Sequence, residues 1–320
     1  MAAASASPPA SSATSSAVSA RPAAVRSAAR APRTKGRSPA QQRRRLAWWF
    51  MCPLIVLNAL VIVTPACLAV YYSFTDWTGL GPAHFIGLDN YRKLFSDADF
   101  RNALLHNVYW TLFFLVVPMA MGLLGAYLLS RITRFQVLFR IAYFIPYTVA
   151  SVVTAAVWQR LLSSDSGLGK VLGVNFLGDV HLSLLTVASI NNWAWWGFLV
   201  VVFLTAMQGV NASLYEAAEI DGAGEWRKFV SITLPSIRPT FMFLGLMTII
   251  WSFLAFDYIY ILTQGGPAGS TDVLSTLQYR NAFSAQQAGY AAAIGVVMAM
   301  ISAVVVIGYQ TLRRRKGWDI

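Results

Sequence analysis

EAAEIDGAGEWRKFVSITLPSIRP, Glu216 to Pro239, interrupts a mostly apolar chain with a polar island. Seven of its residues are charged (Glu216, Glu219, Asp221, Glu225, Arg227, Lys228 and Arg238), and Trp226, Phe229, Ile232 and Leu234 recur among them. That mixture reads as two short amphipathic helices. Gly222, Ala223 and Gly224 make the turn between them. Ala217, Ala218 and the glycines keep the first half slim enough for another surface to lie close. Pro235 and Pro239 are expected to end any helix that reaches them, because proline lacks the N–H that the helical ladder needs. A loop that only joined two neighbouring elements would need none of this. An interfacial helix resting on lipid is the plainer alternative.

On either side of the island the chain suits a bilayer. Of its residues 57% are hydrophobic and 12% charged, against about 25% charged in a typical soluble domain. The mean hydropathy is +0.54. The expected fold class is all-α, a polytopic membrane protein with six transmembrane helices. The spans fall at about 46–74, 107–130, 139–162, 182–208, 240–263 and 289–312, near or above the ~20 residues that cross ~30 Å of hydrocarbon. Together they make a transmembrane domain over 46–320, with the island in a loop at 211–239. Residues 1–45 are rich in Ala, Ser, Pro and Arg, and no acidic residue precedes Asp76. They cannot build a core and are expected to form a disordered basic tail. An Arg- and Ser-rich start also fits a transit peptide, whereas the following apolar run is too long for a secretory signal. Cys52 and Cys67 lie too far apart along one apolar segment to bridge. Neither a disulfide framework nor a Cys-based metal site is available.

The net charge of +12 marks topology rather than a nucleic-acid surface. With the N-terminus inside, 19 of the 25 Lys and Arg residues fall on inner segments, and the bias survives removal of the tail. Positive residues gather on the cytoplasmic side. Both termini and the polar island are therefore expected to be cytoplasmic.

Glu216, Ala217, Ala218, Gly222, Ile232, Leu234 and Pro235 stand at the spacing of a known motif. The island resembles the EAA loop of ABC importer permeases, and Asp221-Gly222-Ala223 is similar to the sugar-importer branch. FIGLDNYRKLFSDADFRNALLHN (Phe85 to Asn107) and FDYIYILTQGGP (Phe256 to Pro267) resemble the same branch. The resemblance runs from Leu46 to the C-terminus. It implies a type I importer permease fold in a bacterial cytoplasmic membrane. It also implies a second homologous permease, two ATPase subunits that hold ATP and Mg, and an extracytoplasmic solute-binding protein. The loop would insert into a cleft of the ATPase, with Glu216 facing a basic group and Gly222 allowing close backbone approach. No cofactor is expected on this chain, and solute would cross by alternating access.

The sequence carries no hydrolytic machinery of its own. Gly167-Leu168-Gly169-Lys170 is followed by Val171, which fails the phosphate-loop pattern. In INNWAWWGFLVVVF, Ile190 to Phe203, three tryptophans accompany two asparagines. They read either as an interfacial aromatic belt or as a platform for a sugar, with Asn amides for its hydroxyls. By resemblance to maltose-type permeases, Asn191, Trp195 and Phe198, with Thr248, Trp251 and Ser252 on the fifth span, fall where sugar is contacted. Asp257, near the end of the fifth span, is expected to cap or pair rather than bind solute. His84, His106 and His181 show no metal-ligand spacing. No Lys or Arg sits deep within a span, which favours a neutral saccharide over a glycerol phosphate. An ion-driven carrier would usually carry more spans and several intramembrane carboxylates.

Overall fold

The computed structural model describes residues 39–132 and 134–315. The expected tail thus lies outside the described residues up to position 38. From Pro39 onward the chain is helical rather than disordered to 45. A proline at the first helical position has no N–H to satisfy, and the Gln and Arg that follow are good helix formers. This helix, α1 (Pro39–Asn58), ends the first of two compact units.

The second unit begins at Ala59 with a π turn, Ala59–Val63, that leads into α2 (Thr64–Tyr72). The run Trp48–Tyr72 is long and apolar enough to cross a bilayer. No strand occurs among the described residues, and one isolated bridge joins Thr75 to Phe85. α3 (Asp89–Ser96) buries Asn90, whose amide donates to the carbonyls of Ser73 at 2.9 Å and Thr75 at 2.8 Å. α4 (Ala98–Ser130) starts well before residue 107 because the Asp97 carboxylate accepts from the Asp99 N–H at 2.9 Å. That is an ordinary N-cap. At 1.5 Å per residue its 33 residues exceed the hydrocarbon thickness, so its first turns extend beyond the apolar layer.

The third span is not one helix, contrary to the expectation for 139–162. α5 (Gln136–Thr148) and α6 (Ser151–Leu161) meet at 91°. Pro146 removes one ladder donor, and Val149 and Ala150 are extended with ψ of 133° and 136°. α7 (Leu168–Leu172) is a short turn before α8 (Ser183–Gln208), the fourth span. α9 (Ala212–Ile220) and α10 (Glu225–Lys228) are the two helices expected in the island.

Pro235 does not end the second of them. A π turn, Phe229–Thr233, carries the helix into α11 (Leu234–Ser236). Leu234 donates to the Phe229 carbonyl, five residues back. In that wider ladder the N–H missing from Pro235 is not required. The break comes instead at Ile237, where α12 (Arg238–Phe253) departs at 64° with Pro239 in its first turn. Nor does the fifth span run unbroken over 240–263. It stops at Phe253 and resumes as α13 (Asp257–Leu262), because Leu254 and Phe256 leave helical geometry. α14 (Leu274–Tyr279) and α15 (Ala288–Arg315) complete the fold.

Among the described residues four helices are long and apolar enough to cross a membrane, and counting each bent pair as one span gives six. In lipid, helices gain little from hiding apolar surface, so close packing and polar links decide their association. The central pair is α4 and α8, where Met119, Ala126 and Leu129 meet Leu199, Phe203 and Leu204. Gly197 lets α5 come closest, since a Cβ there would run into the Tyr143 carbonyl.

Candidate functional site

The polar island stands away from the bundle on its first half and grips it with its second. Asn211 caps α9 by accepting from the Ser213 N–H at 3.1 Å. α9 buries none of its residues. Glu216, Ala217, Asp221, Gly222 and Pro235 are exposed, whereas Ala218, Ala223, Ile232 and Leu234 are half-buried. Gly222 has φ +72°, and a Cβ there would meet nothing within 4 Å. The glycine is thus required by the left-handed backbone rather than by crowding. Trp226 and Ile220 are also exposed, at 72% and 87%. The result is an apolar, slim and acidic surface presented outward.

The second half binds inward through a chain of alternating charges. Lys228 is buried, with Nζ donating to Glu219 at 2.6 Å and to Glu225 at 2.8 Å. Glu225 also pairs with Arg131, which follows the end of α4. Lys228 first, then Arg131, holds the Glu225 carboxyl below the usual carboxylate range. Glu219 and Glu225 hold the Lys228 ammonium above its usual value. Beside them the Phe229 ring packs on Tyr127 at 4.6 Å, and the Tyr215 and Thr233 hydroxyls bond at 2.8 Å. The sequence did not mark Lys228 or Arg131. Their partners are separated along the chain or hidden by the turn, and each alone reads as a positive-inside residue.

The second candidate set lies where α8 faces α5 and α12. Trp195 meets Trp251 edge-on at 4.7 Å and Phe198 at 5.1 Å. Tyr147 stacks on Phe198 at 5.0 Å. Asn191 lines a cavity of about 220 Å³ with Trp110, Phe256 and Asp257. Thr248 and Ser252 are buried at 3% exposure. Ser252 is held by packing, its carbonyl accepting from Asn107 and its hydroxyl donating to the Thr248 carbonyl. The Trp195 indole N–H and the Thr248 hydroxyl are buried with no hydrogen-bond partner among the described residues. Trp193 and Trp196 turn elsewhere, towards Trp158 and Tyr143.

Asp257 opens α13 and accepts from the Ser151 hydroxyl at 2.9 Å, Ser151 being the first residue of α6. The breaks in the third and fifth spans therefore face one another. A carboxylate between two helix starts is favourably placed against both macrodipoles. Tyr147, Trp110 and Phe256 were missed from the sequence. Pro146 is the one mark that could have led to Tyr147.

Residues 119–318 match the binding-protein-dependent transport system inner membrane component. The chain belongs to this family. The permease is 31% identical over 270 residues to a probable ABC transporter permease protein of Pyrococcus horikoshii, covering 81% of this chain and 92% of that one. It is 33% identical over 277 residues to a diacetylchitobiose uptake system permease protein of Streptomyces coelicolor, covering 79% and 77%. A crystal structure of a bacterial ABC transporter involved in the import of the acidic polysaccharide alginate is similar with a TM-score of 0.76 and 25% identity, covering 86% of this chain and 97% of that one. The all-α, polytopic ABC importer permease fold expected from the sequence is the fold of this permease.

Proposed function

We propose that this permease is the membrane-spanning subunit of an ATP-driven, binding-protein-dependent importer for a sugar or oligosaccharide. Asn191, Trp195, Phe198, Thr248, Trp251 and Ser252 line or back the solute path. Glu216, Ala217, Ala218, Asp221, Gly222, Ala223, Ile232, Leu234 and Pro235 form the element that a separate ATPase engages. The chain works with a second homologous permease, two ATPase subunits holding ATP and Mg, and an extracytoplasmic solute-binding protein. It sits in a bacterial cytoplasmic membrane with both termini and the 211–239 loop inside.

The observation that carries the saccharide reading is the cluster of Tyr147, Trp195, Phe198 and Trp251, which holds the buried, unpartnered Trp195 N–H, with the unpartnered Thr248 hydroxyl three residues before Trp251 on α12. Aromatic faces match the apolar faces of pyranose rings, and such polar atoms call for a hydroxyl-bearing ligand. The relatives' names support the same class, as in the uptake of diacetylchitobiose. The test is ATP hydrolysis by the reconstituted complex, with and without sugar-loaded binding protein, for wild type and Gly222→Asp. Stimulation is expected in wild type and lost in the variant, which adds a charged side chain where the loop offers bare backbone for close approach. Transport that persists in the variant, or proceeds without the ATPase, would overturn the reading.

A further inference from the structure

α9 carries the Glu216-Ala217-Ala218 motif, yet it buries no residue of its own against the bundle. Two polar bridges tie its side chains to the helix that follows. Tyr215 bonds Thr233 at 2.8 Å, and Glu219 accepts from Lys228 at 2.6 Å. Lys228 is the pivot, because its side chain is only 8% exposed and also holds Glu225 at 2.8 Å. Glu225 is the first residue of α10 and reaches Arg131, the residue that caps the end of α4. The Arg131 guanidinium is fixed in turn by the Tyr127 hydroxyl at 3.0 Å and by the Tyr127 ring at 4.9 Å. The order Glu219, Lys228, Glu225, Arg131 therefore joins α9, α10 and α4 through four alternating charges.

Both ends of the Arg131–Glu225 pair sit well in the helix fields. A cation follows the C-terminus of α4, and an anion begins α10. An exposed pair of this kind adds little to stability. It does fix direction, because α4 also packs along α8, which carries Asn191, Trp195 and Phe198. We propose that Glu219, Lys228, Glu225 and Arg131 are positioning residues that transmit displacement of α9 into α4, and so into the ring-lined face of α8. The inference rests on the reading of the 211–239 loop as the ATPase-engaging element.

The test uses the complete complex with its ATPase subunits and binding protein, and the readout is solute transported per ATP hydrolysed. Arg131→Gln and Glu225→Gln are each expected to assemble and to lower that ratio on the order of tenfold, within the range of substitutions along coupling networks. The double variant should be no worse than the more impaired single, because both changes cut one link. Lys228→Gln should lower the ratio at least as far, since it cuts two. An unchanged ratio in the assembled Arg131 and Glu225 variants overturns the proposal, as does a double variant whose loss is the product of the singles. If Lys228→Gln fails to assemble, the two exposed positions still decide. Gly222→Asp separates the two readings. If it uncouples while the Arg131 and Glu225 variants do not, only the transmission route fails. If it has no effect, the loop is not the engaging element and both fail.

Discussion

Glu225 and Lys228 share one hydrogen bond and carry opposite titration signatures. The Glu225 carboxyl is held below its usual range, so its contribution is complete above the unfolded value of about 4.3 and is lost as pH falls through the lower folded value. The Lys228 ammonium is held above its usual value, so its contribution is complete below about 10.4 and is lost only as pH rises through the higher folded value. Between those limits neither Glu225 nor Lys228 titrates. The midpoint of thermal unfolding should therefore be lower for Glu225→Gln than for wild type by a constant amount from pH 6 to 9. The gap should begin to narrow once the pH falls below the unfolded value of about 4.3 and close only below the lower folded value, where wild-type Glu225 is also neutral. A gap that closes near neutral pH would mean that another group governs this corner. Gly222 was readable from the sequence because a glycine between two short helices has a local meaning. Lys228 was not, because its burial depends on α9 folding back across it.

Among the elements, the interrupted helices separate what pattern can reveal from what it cannot. Long apolar runs locate α4, α8 and α15, since period and length suffice. The breaks at Val149–Ala150 and at Leu254–Phe256 leave hydropathy almost unchanged, because the residues that depart from the helix are themselves apolar. Pro235 shows the converse, a strong local signal overruled by a π turn just before it. The residue that braces the second break is Asn107, fully buried in α4. Its amide donates to the Ser252 carbonyl at 2.9 Å, and its carbonyl accepts from the Leu274 N–H at 2.7 Å. It thus pins the end of α12 and the start of α14 to α4. Asn107→Ala should leave two buried backbone groups without partners and cost about 1–3 kcal/mol. Thermal unfolding of the detergent-solubilised chain would measure this. An Asn107→Ala protein as stable as wild type would show that the bracket is dispensable.

For the whole molecule, orientation decides whether the two candidate sites can serve one transport cycle. The charge count assigns the Arg131, Arg227 and Lys228 region to the inside and Arg280 to the outside, and the resemblance requires the same sides. The two regions lie on different loops, each with an exposed aromatic residue. Trp226 is 72% exposed beside the coupling charges, and Phe283 is 71% exposed after α14. With Cys52 and Cys67 replaced by Ala, Trp226→Cys and Phe283→Cys each provide a single thiol for a membrane-impermeant maleimide. Phe283→Cys should react in intact cells treated to open any outer envelope, and Trp226→Cys only in inverted vesicles. The opposite pattern would put the Glu216 motif on the face without ATP. No ATPase could then reach α9, and the ring cluster would have to be explained without an energy source at the 211–239 loop. Labelling of both thiols from both sides would instead mean that the chain had not inserted in one topology, as expected if the positive residues of 131–140 and 227–238 did not hold these loops inside. Replacing Arg227 and Arg238 with Gln should push the population towards that mixed pattern while leaving the tail in place, because the tail charges act mainly on the first span.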